Sequence, residues 1–593
     1  MSDIKARNEI DSKYKWKLED IFKSDEAWES AFSAVRKRAK SFEEYKGRVG
    51  ESAKTLLGVL TALDELGEDL LSVSVYASMR RDEDNLVSKY RAFVERAGEL
   101  ESDVAGAVSF VEPEIIACGK ETVLRYMDEE AELSTYRHFF DNLFREAEHI
   151  LTPYGEKLLA LSGPVGDAAH DIFSAMNNAD IQFDSVTDKD GKVHELSHGR
   201  YGTFLESADR TLRKSAYDSM YAQYKKYKNT FAAAFASNVK SDLFYARARE
   251  YESTMQMRLS DSFVPASVYD GLIAEVTKGI PVLSEYLKLI KSRLGLPELC
   301  MYDLYTPIIP TDDEFIPYEK ACEMVLAAVK PLGEQYVSDM KRAFSEGWVD
   351  VYENRGKTPG AYSWGDNLHH PFVLLNYQGK TEDVFTLAHE MGHAMHSYYT
   401  NKTQPSVYRN YKIFVAEVAS TVNENLLLEY LLKDATGARR AYLLGRRLEA
   451  IRTTFYRQTM FAEFEKMSHA AYAEGEALTA ESLCEMYAEL NKKYYGAVCT
   501  CDENIAYEWA RIPHFYTSFY VYQYATGFAA ATAIKELVLR DAKNADKYMD
   551  FLASGDSDYP LEALKKAGVD LTRGEAARAV VEDMKNAICE INK

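Results

Sequence analysis

Apolar residues recur at helical spacing through almost the whole chain, and this periodicity restricts the fold more than any other feature. Leu56, Leu57, Val59, Leu60, Leu63 and Leu66 set the pattern early; steps of three and four put them on one side of an α-helix. Charged faces alternate with such stripes across 87–100 and 120–133, as solvated helix surfaces do. The period changes twice. Ile181, Phe183, Ser185 and Thr187 alternate, Asp188-Lys189-Asp190-Gly191 supplies a turn, and Val193 to Leu196 returns, which reads as a hairpin. After a stretch punctuated by Pro297, Pro307, Pro310 and Pro317, the segment 355–380 is rich in Gly, Tyr, Asn and His. Within it Pro371 to Tyr377 reads as a short strand closed by a Gln378-Gly379 turn. From Glu382 to Glu590 the helical pattern resumes. The expected fold is mostly α, with a small β element beside residue 380. The hairpin marks the expected boundary between a helical N-terminal domain, 1–190, and a second helical domain, 191–593.

Composition narrows the function classes. A chain of 593 residues, 46% of them hydrophobic, buries an ample core without disulfides or a structural metal. Lys and Arg number 71 against 93 Asp and Glu, a formal charge of −22. That balance argues against general nucleic-acid binding and against anionic membrane surfaces. Seven scattered cysteines, an odd number without framework spacing, read as reduced thiols in a cytoplasmic setting. The close pair Cys499 and Cys501 reads as chance, since no second pair accompanies it. Met1 to Lys15 is polar, unlike a secretory signal. There is no run of about 18 apolar residues to cross a membrane.

One segment carries chemistry: Thr381-Glu382-Asp383-Val384-Phe385-Thr386-Leu387-Ala388-His389-Glu390-Met391-Gly392-His393-Ala394-Met395-His396. Thr381 is the expected N-cap, with Glu382 and Asp383 at the positive end of the helix dipole. His389 and His393 leave one helix face a turn apart, which suits two nitrogens on one tetrahedral Zn²⁺. Glu390, about 100° round the helix, reaches a water on the ion without ligating the ion itself, as a general base must. A catalytic zinc takes three protein ligands and keeps an open position. The apolar helix 414–424 supplies Glu417 and Glu424, with Thr421 between them on one face. Glu417 as third ligand and Glu424 as acceptor for a ligand imidazole N–H give both carboxylates partners. His396 shares the His389 face, but as a fourth ligand it would close the open position. His369 and His370 read as loop histidines.

The stretches His389 to Ser397 and Phe414 to Thr421 resemble the thimet-oligopeptidase-like metallopeptidases, above all the oligoendopeptidase F branch. Gly360-Ala361-Tyr362, Leu374-Leu375-Asn376 and Ile512 to Gly527 resemble that branch too. The resemblance implies a mostly helical zinc peptidase with a deep channel that cuts short peptides and spares folded proteins. It implies one Zn²⁺ per chain on His389, His393 and Glu417, with Glu390 as base. The family holds its tetrahedral intermediate with a His followed by tyrosines, which points here to His514, Tyr520 and Tyr524. Tyr516, Tyr520 and Tyr524 are spaced to share a helical face. The substrate backbone is expected to pair with the edge of Phe372–Asn376, where Phe372, Leu374 and Asn376 lie. Gly360 and Tyr362 add contacts. Competing readings are a zinc carboxypeptidase or dipeptidyl carboxypeptidase, a non-catalytic zinc-containing peptide binder, and a metal-free helical scaffold.

Overall fold

A computed structural model describes residues 4–309 and 314–593. Helix accounts for 73% and strand for 3%, so the cores are built by helices and the strands serve local purposes. Compactness does not follow chain order. One unit comprises Met1–Glu148, Asp313–Tyr430 and Ile534–Gly568; the other comprises His149–Asp312, Leu431–Ala533 and Val569–Lys593. The expected hairpin forms, pairing Val186 with His194 and Thr187 with Val193, and lies inside the second unit.

In the first unit the early apolar stripe becomes the helix Ala53–Glu83, capped by the Ser52 hydroxyl, which accepts the Thr55 N–H at 3.1 Å. It packs beside helices Asp25–Ser41 and Ser88–Val108 around Trp28, which stacks on Phe93 at 3.8 Å. A three-stranded sheet sits against this core. Phe372–Leu374 is its central strand, parallel to Val349–Asp350 and antiparallel to Tyr362–Trp364. Phe372 and Leu374 are fully buried and belong to the Trp28 cluster. A buried ion network ties the sheet down. Lys357 and Arg7 both pair with the Asp350 carboxylate, Lys357 at 2.7 Å, and the lysine also donates to the Tyr352 carbonyl at 2.8 Å.

The chain leaves the sheet through Gly379, in the left-handed region at φ +87°, and enters the helix Thr381–Thr403. Lys380, not Thr381, is its N-cap. The Asp383 carboxylate reaches back to accept the N–H groups of Lys380 at 2.8 Å and Gln378 at 3.0 Å. The Asp383 side chain wins over a threonine hydroxyl because its Oδ2 takes two backbone donors at this helix end. The helix Ile413–Asp434 then crosses it. The second unit is an all-helix core with short two-residue strands, built on helices such as Lys228–Ala248, Ala266–Arg293, Gln458–Ala473 and Glu575–Ile591.

Candidate metal and catalytic centre

Helices Thr381–Thr403 and Ile413–Asp434 approach each other at Gly392. A Cβ there would lie 2.5 Å from Ser420 Cα and 2.6 Å from the Ala419 carbonyl, so only glycine permits this crossing. Asn423, fully buried, locks the pair: its amide donates to the Ala388 carbonyl at 3.1 Å and its carbonyl accepts the Tyr336 hydroxyl at 3.1 Å.

The crossing brings the expected donors together. His389 Nε2 and His393 Nε2 are 3.2 Å apart, and Glu417 Oε2 is 3.4 Å from the first and 3.5 Å from the second. Donors in a near-equilateral triangle about 3.3 Å on a side are what a tetrahedral ion with bonds of about 2.0–2.1 Å imposes. His389 Nδ1 lies 2.7 Å from Glu424 Oε1. A carboxylate there takes the Nδ1–H, which leaves the Nε2 lone pair aimed into the triangle. The Ser420 hydroxyl donates to Glu417 Oε2 at 3.0 Å and fixes its rotamer. Among the described residues, this is the one group of three ligating side chains whose donor atoms all lie within 4.8 Å of one another. Two imidazoles and one carboxylate, partly open to solvent, fit a zinc site with a vacant position.

The three groups are also coupled electrostatically in the metal-free chain. Burial pushes the Glu417 carboxyl up, but the hydrogen bond and charge of His393, the charge of His389 and the Ser420 hydroxyl win and hold it at about 2. Burial opposes charge on His389, yet the Glu424 hydrogen bond and the surrounding carboxylates raise its pKa above the usual imidazole range. Glu390 is only 7% exposed and its pKa is raised. Burial is the main cause, with Glu417 and Glu424 adding to it and the two imidazoles partly offsetting it. A carboxylate so tuned accepts and returns a proton near neutrality more readily than an ordinary one.

His396 stands apart from the triangle. It is buried at 1% exposure, stacked on Tyr411 at 3.8 Å, and burial pushes it down to about 3. His369 bonds the Asp366 carboxylate at 2.8 Å and His370 stacks on Trp348 at 4.7 Å, both in loop structure.

The strand differs from expectation. Phe372–Leu374 is paired on both sides, so it has no edge to offer a peptide, and the buried side chains of Phe372 and Leu374 serve the core. The edge strands are Val349–Asp350, whose side chains are buried, and the more exposed Tyr362–Trp364. Tyr362 donates its hydroxyl to Asp82 Oδ2 at 2.8 Å. Asn376 ties down the approach to that strand by donating to the carbonyls of Thr358 at 3.0 Å and Gly360 at 2.8 Å. Gly360 turns at φ +87°.

His514, Tyr520 and Tyr524 cluster in the second unit. The His514 ring lies 6.3 Å from Tyr520 and 5.9 Å from Tyr524, and the Tyr524 hydroxyl is 3.4 Å from His514 Nε2. Burial, aided by Arg457, lowers the His514 pKa. The expected single helical face is absent: Pro513–Tyr516 is a 3₁₀ turn, Phe519 has φ +59°, and the helix begins only at Tyr522. Tyr516 therefore leaves the group and stacks on Phe173 at 4.5 Å. Gly392, Ser420 and Asn423 escaped the sequence reading. Their signal was present: a glycine inside a helix costs about 1 kcal/mol relative to alanine and needs a reason. Ser420 and Asn423 likewise are polar residues in the same mostly apolar helix as Glu417 and Glu424.

The chain matches peptidase family M3 over residues 203–582, and the Oligopeptidase F family over residues 114–183. The chain belongs to peptidase family M3. Oligopeptidase PepF of Bacillus subtilis is 43% identical over 594 residues, covering 100% of this chain and 89% of that protein. Group B oligopeptidase PepB of Streptococcus agalactiae is 40% identical, covering 100% and 98%. The crystal structure of oligoendopeptidase-F from Enterococcus faecium superposes with a TM-score of 0.74 at 35% identity, covering 96% of this chain and 98% of that one. The M3 assignment makes the protein a metallo-oligopeptidase of the oligopeptidase F branch, with the helical fold of that branch. No helix among the described residues is long and apolar enough to cross a membrane.

Proposed function

We propose that this M3 peptidase is a zinc-dependent endopeptidase that hydrolyses internal bonds of short peptides. The observation that carries the reading is the donor triangle of His389, His393 and Glu417, with buried Glu390 beside it. The two histidines and Glu417 would hold one zinc ion, and Glu424 would orient His389. Bound zinc supplies the Lewis acidity that acidifies the attacking water and polarises the scissile carbonyl. Glu390 takes the proton of that water as its oxygen attacks the carbonyl carbon, then delivers it to the leaving amine nitrogen. The hydroxyls of Tyr520 and Tyr524, with His514, donate hydrogen bonds to the oxyanion. The peptide backbone pairs with the edge strand Tyr362–Trp364, which demands little of substrate sequence, and Gly360 and Asn376 shape the entry to it. A reducing cytoplasmic setting belongs to the same reading, supported by seven cysteines that are all unpaired.

The test is hydrolysis of an N-acetylated, C-amidated, internally quenched peptide by the purified chain, with elemental analysis. Wild type cuts the blocked peptide and carries about one zinc. Glu390→Gln keeps the zinc and loses about 10²–10⁴ in kcat, while Glu417→Ala loses the metal. Activity only on peptides with a free C-terminus would instead establish a carboxypeptidase or dipeptidyl carboxypeptidase.

A further inference from the structure

The turn that carries Tyr520 is held by buried polar groups that the proposed mechanism does not use. Phe519, immediately before Tyr520, has φ +59°, a conformation that L side chains rarely adopt. The residue is 3% exposed and its ring packs against Tyr269 at 5.8 Å and His469 at 4.8 Å, so the phenyl group contributes packing that a glycine would lose. The backbone is gripped separately. Glu465, fully buried on the helix Gln458–Ala473, accepts the Phe519 N–H on Oε1 at 2.8 Å. Asn238, on the helix Lys228–Ala248, donates to the Ser518 hydroxyl at 3.1 Å and the Phe515 carbonyl at 3.4 Å. The strained residue is thus pinned at its own N–H, and the turn before it at two further points. Beyond it, Gln523 N–H bonds the Tyr520 carbonyl at 3.1 Å and the helix begins.

We propose that Glu465 is the positioning residue for Tyr520, its carboxyl oxygen holding the Phe519 N–H and thereby the left-handed turn from which the tyrosine side chain leaves. This rests on the reading of Tyr520 as an oxyanion donor. Without an acceptor at 465, Phe519 relaxes toward the right-handed or extended region. Tyr520 then loses its place beside His514. The acceptor, not the charge, is what matters. Burial pushes the Glu465 pKa well above the ordinary carboxyl range, and Oε2 has no hydrogen-bond partner among the described residues. A neutral amide of the same shape therefore substitutes.

The full-length zinc enzyme is assayed on the end-blocked peptide. Glu465→Gln is expected to keep kcat within about twofold, because its amide oxygen accepts the same N–H. Glu465→Leu, which fills the space without an acceptor, is expected to lower kcat about 10- to 100-fold with KM within about twofold. In a Tyr520→Phe background Glu465→Leu should cost nothing further. Equal losses in both backgrounds, wild-type kcat in Glu465→Leu, or a Gln variant as damaged as the Leu variant, each overturn the proposal. A Tyr520→Phe enzyme with wild-type kcat overturns the oxyanion reading, and the proposal with it; additive losses beside an impaired Tyr520→Phe overturn the proposal alone. If Glu465→Leu does not fold, Asn238→Ala loosens the same turn at the bonds to Ser518 and Phe515. The same kcat-specific loss, silent behind Tyr520→Phe, supports the proposal, and an additive loss refutes it.

Discussion

Gly392→Ala tests whether one missing methyl sets the metal site. A Cβ at 392 would meet backbone atoms, Ser420 Cα at 2.5 Å and Ser420 N at 2.7 Å, and backbone cannot rotate away as a side chain can. Reaching an ordinary separation of 3.4 Å requires the two helices to part by about 0.9 Å. The histidines ride on one helix and Glu417 on the other, three residues from the contact, so most of that displacement enters the 3.4 and 3.5 Å donor separations. Metal sites hold their ligand distances within about 0.2 Å, so a shift several times larger is expected to weaken zinc binding at least about 10- to 100-fold. Stability should change less. Overpacking costs about 1–3 kcal/mol, and replacing a helical glycine by alanine returns up to about 1 kcal/mol. The assay is competition for zinc against a chelator of known affinity, alongside urea unfolding of the metal-free protein. Wild-type zinc affinity in a folded Gly392→Ala protein would refute the claim that the helix crossing sets the triangle.

Three further perturbations probe separate parts of the chain. Glu424→Ala should weaken zinc about 10- to 100-fold by freeing the His389 ring, and unchanged affinity in chelator competition removes the orienting role. Lys357→Met leaves the Asp350 carboxylate buried with Arg7 as its remaining cation and should cost about 3–5 kcal/mol in urea unfolding; a loss below about 1 kcal/mol contradicts the network's importance. Burial opposes ionisation of Glu508, but Arg457 and Arg511 win and hold it at about 2. Because its folded pKa lies below its unfolded one, the stability it contributes is full above about pH 4.5 and is lost as pH falls through 2. Glu508→Gln, though less stable overall, should close on wild type by about 3 kcal/mol between pH 5 and 2. Parallel curves would refute the assignment.

Much of the candidate donor cluster was readable because its geometry is local. Two histidines four apart meet on one helix face whatever surrounds them, and Glu417 and Glu424 betray themselves as charges inside an apolar helix. The strand prediction was right in existence and wrong in placing the strand at an edge. A run such as Phe372–Leu374 announces burial, but whether it lies at an edge or in the middle depends on Val349–Asp350 and Tyr362–Trp364, which no local pattern pairs with it. The tyrosine face failed for a related reason. Spacing of four implies a shared face only if the helix is continuous, and the left-handed Phe519 breaks it.

Sequence alone determined the mostly helical fold class and the identity and order of the candidate donor residues, because these depend on periodicity and side-chain chemistry within a few residues. Tertiary structure alone decided how closely the two donor-bearing helices approach, which strand lies in the middle of the sheet, and how the buried acceptor at 465 holds the turn before Tyr520. Those outcomes rest on contacts between residues far apart in the chain, such as Gly392 with Ser420 and Glu465 with Phe519. Their energies arise only when desolvated backbone and side chains meet.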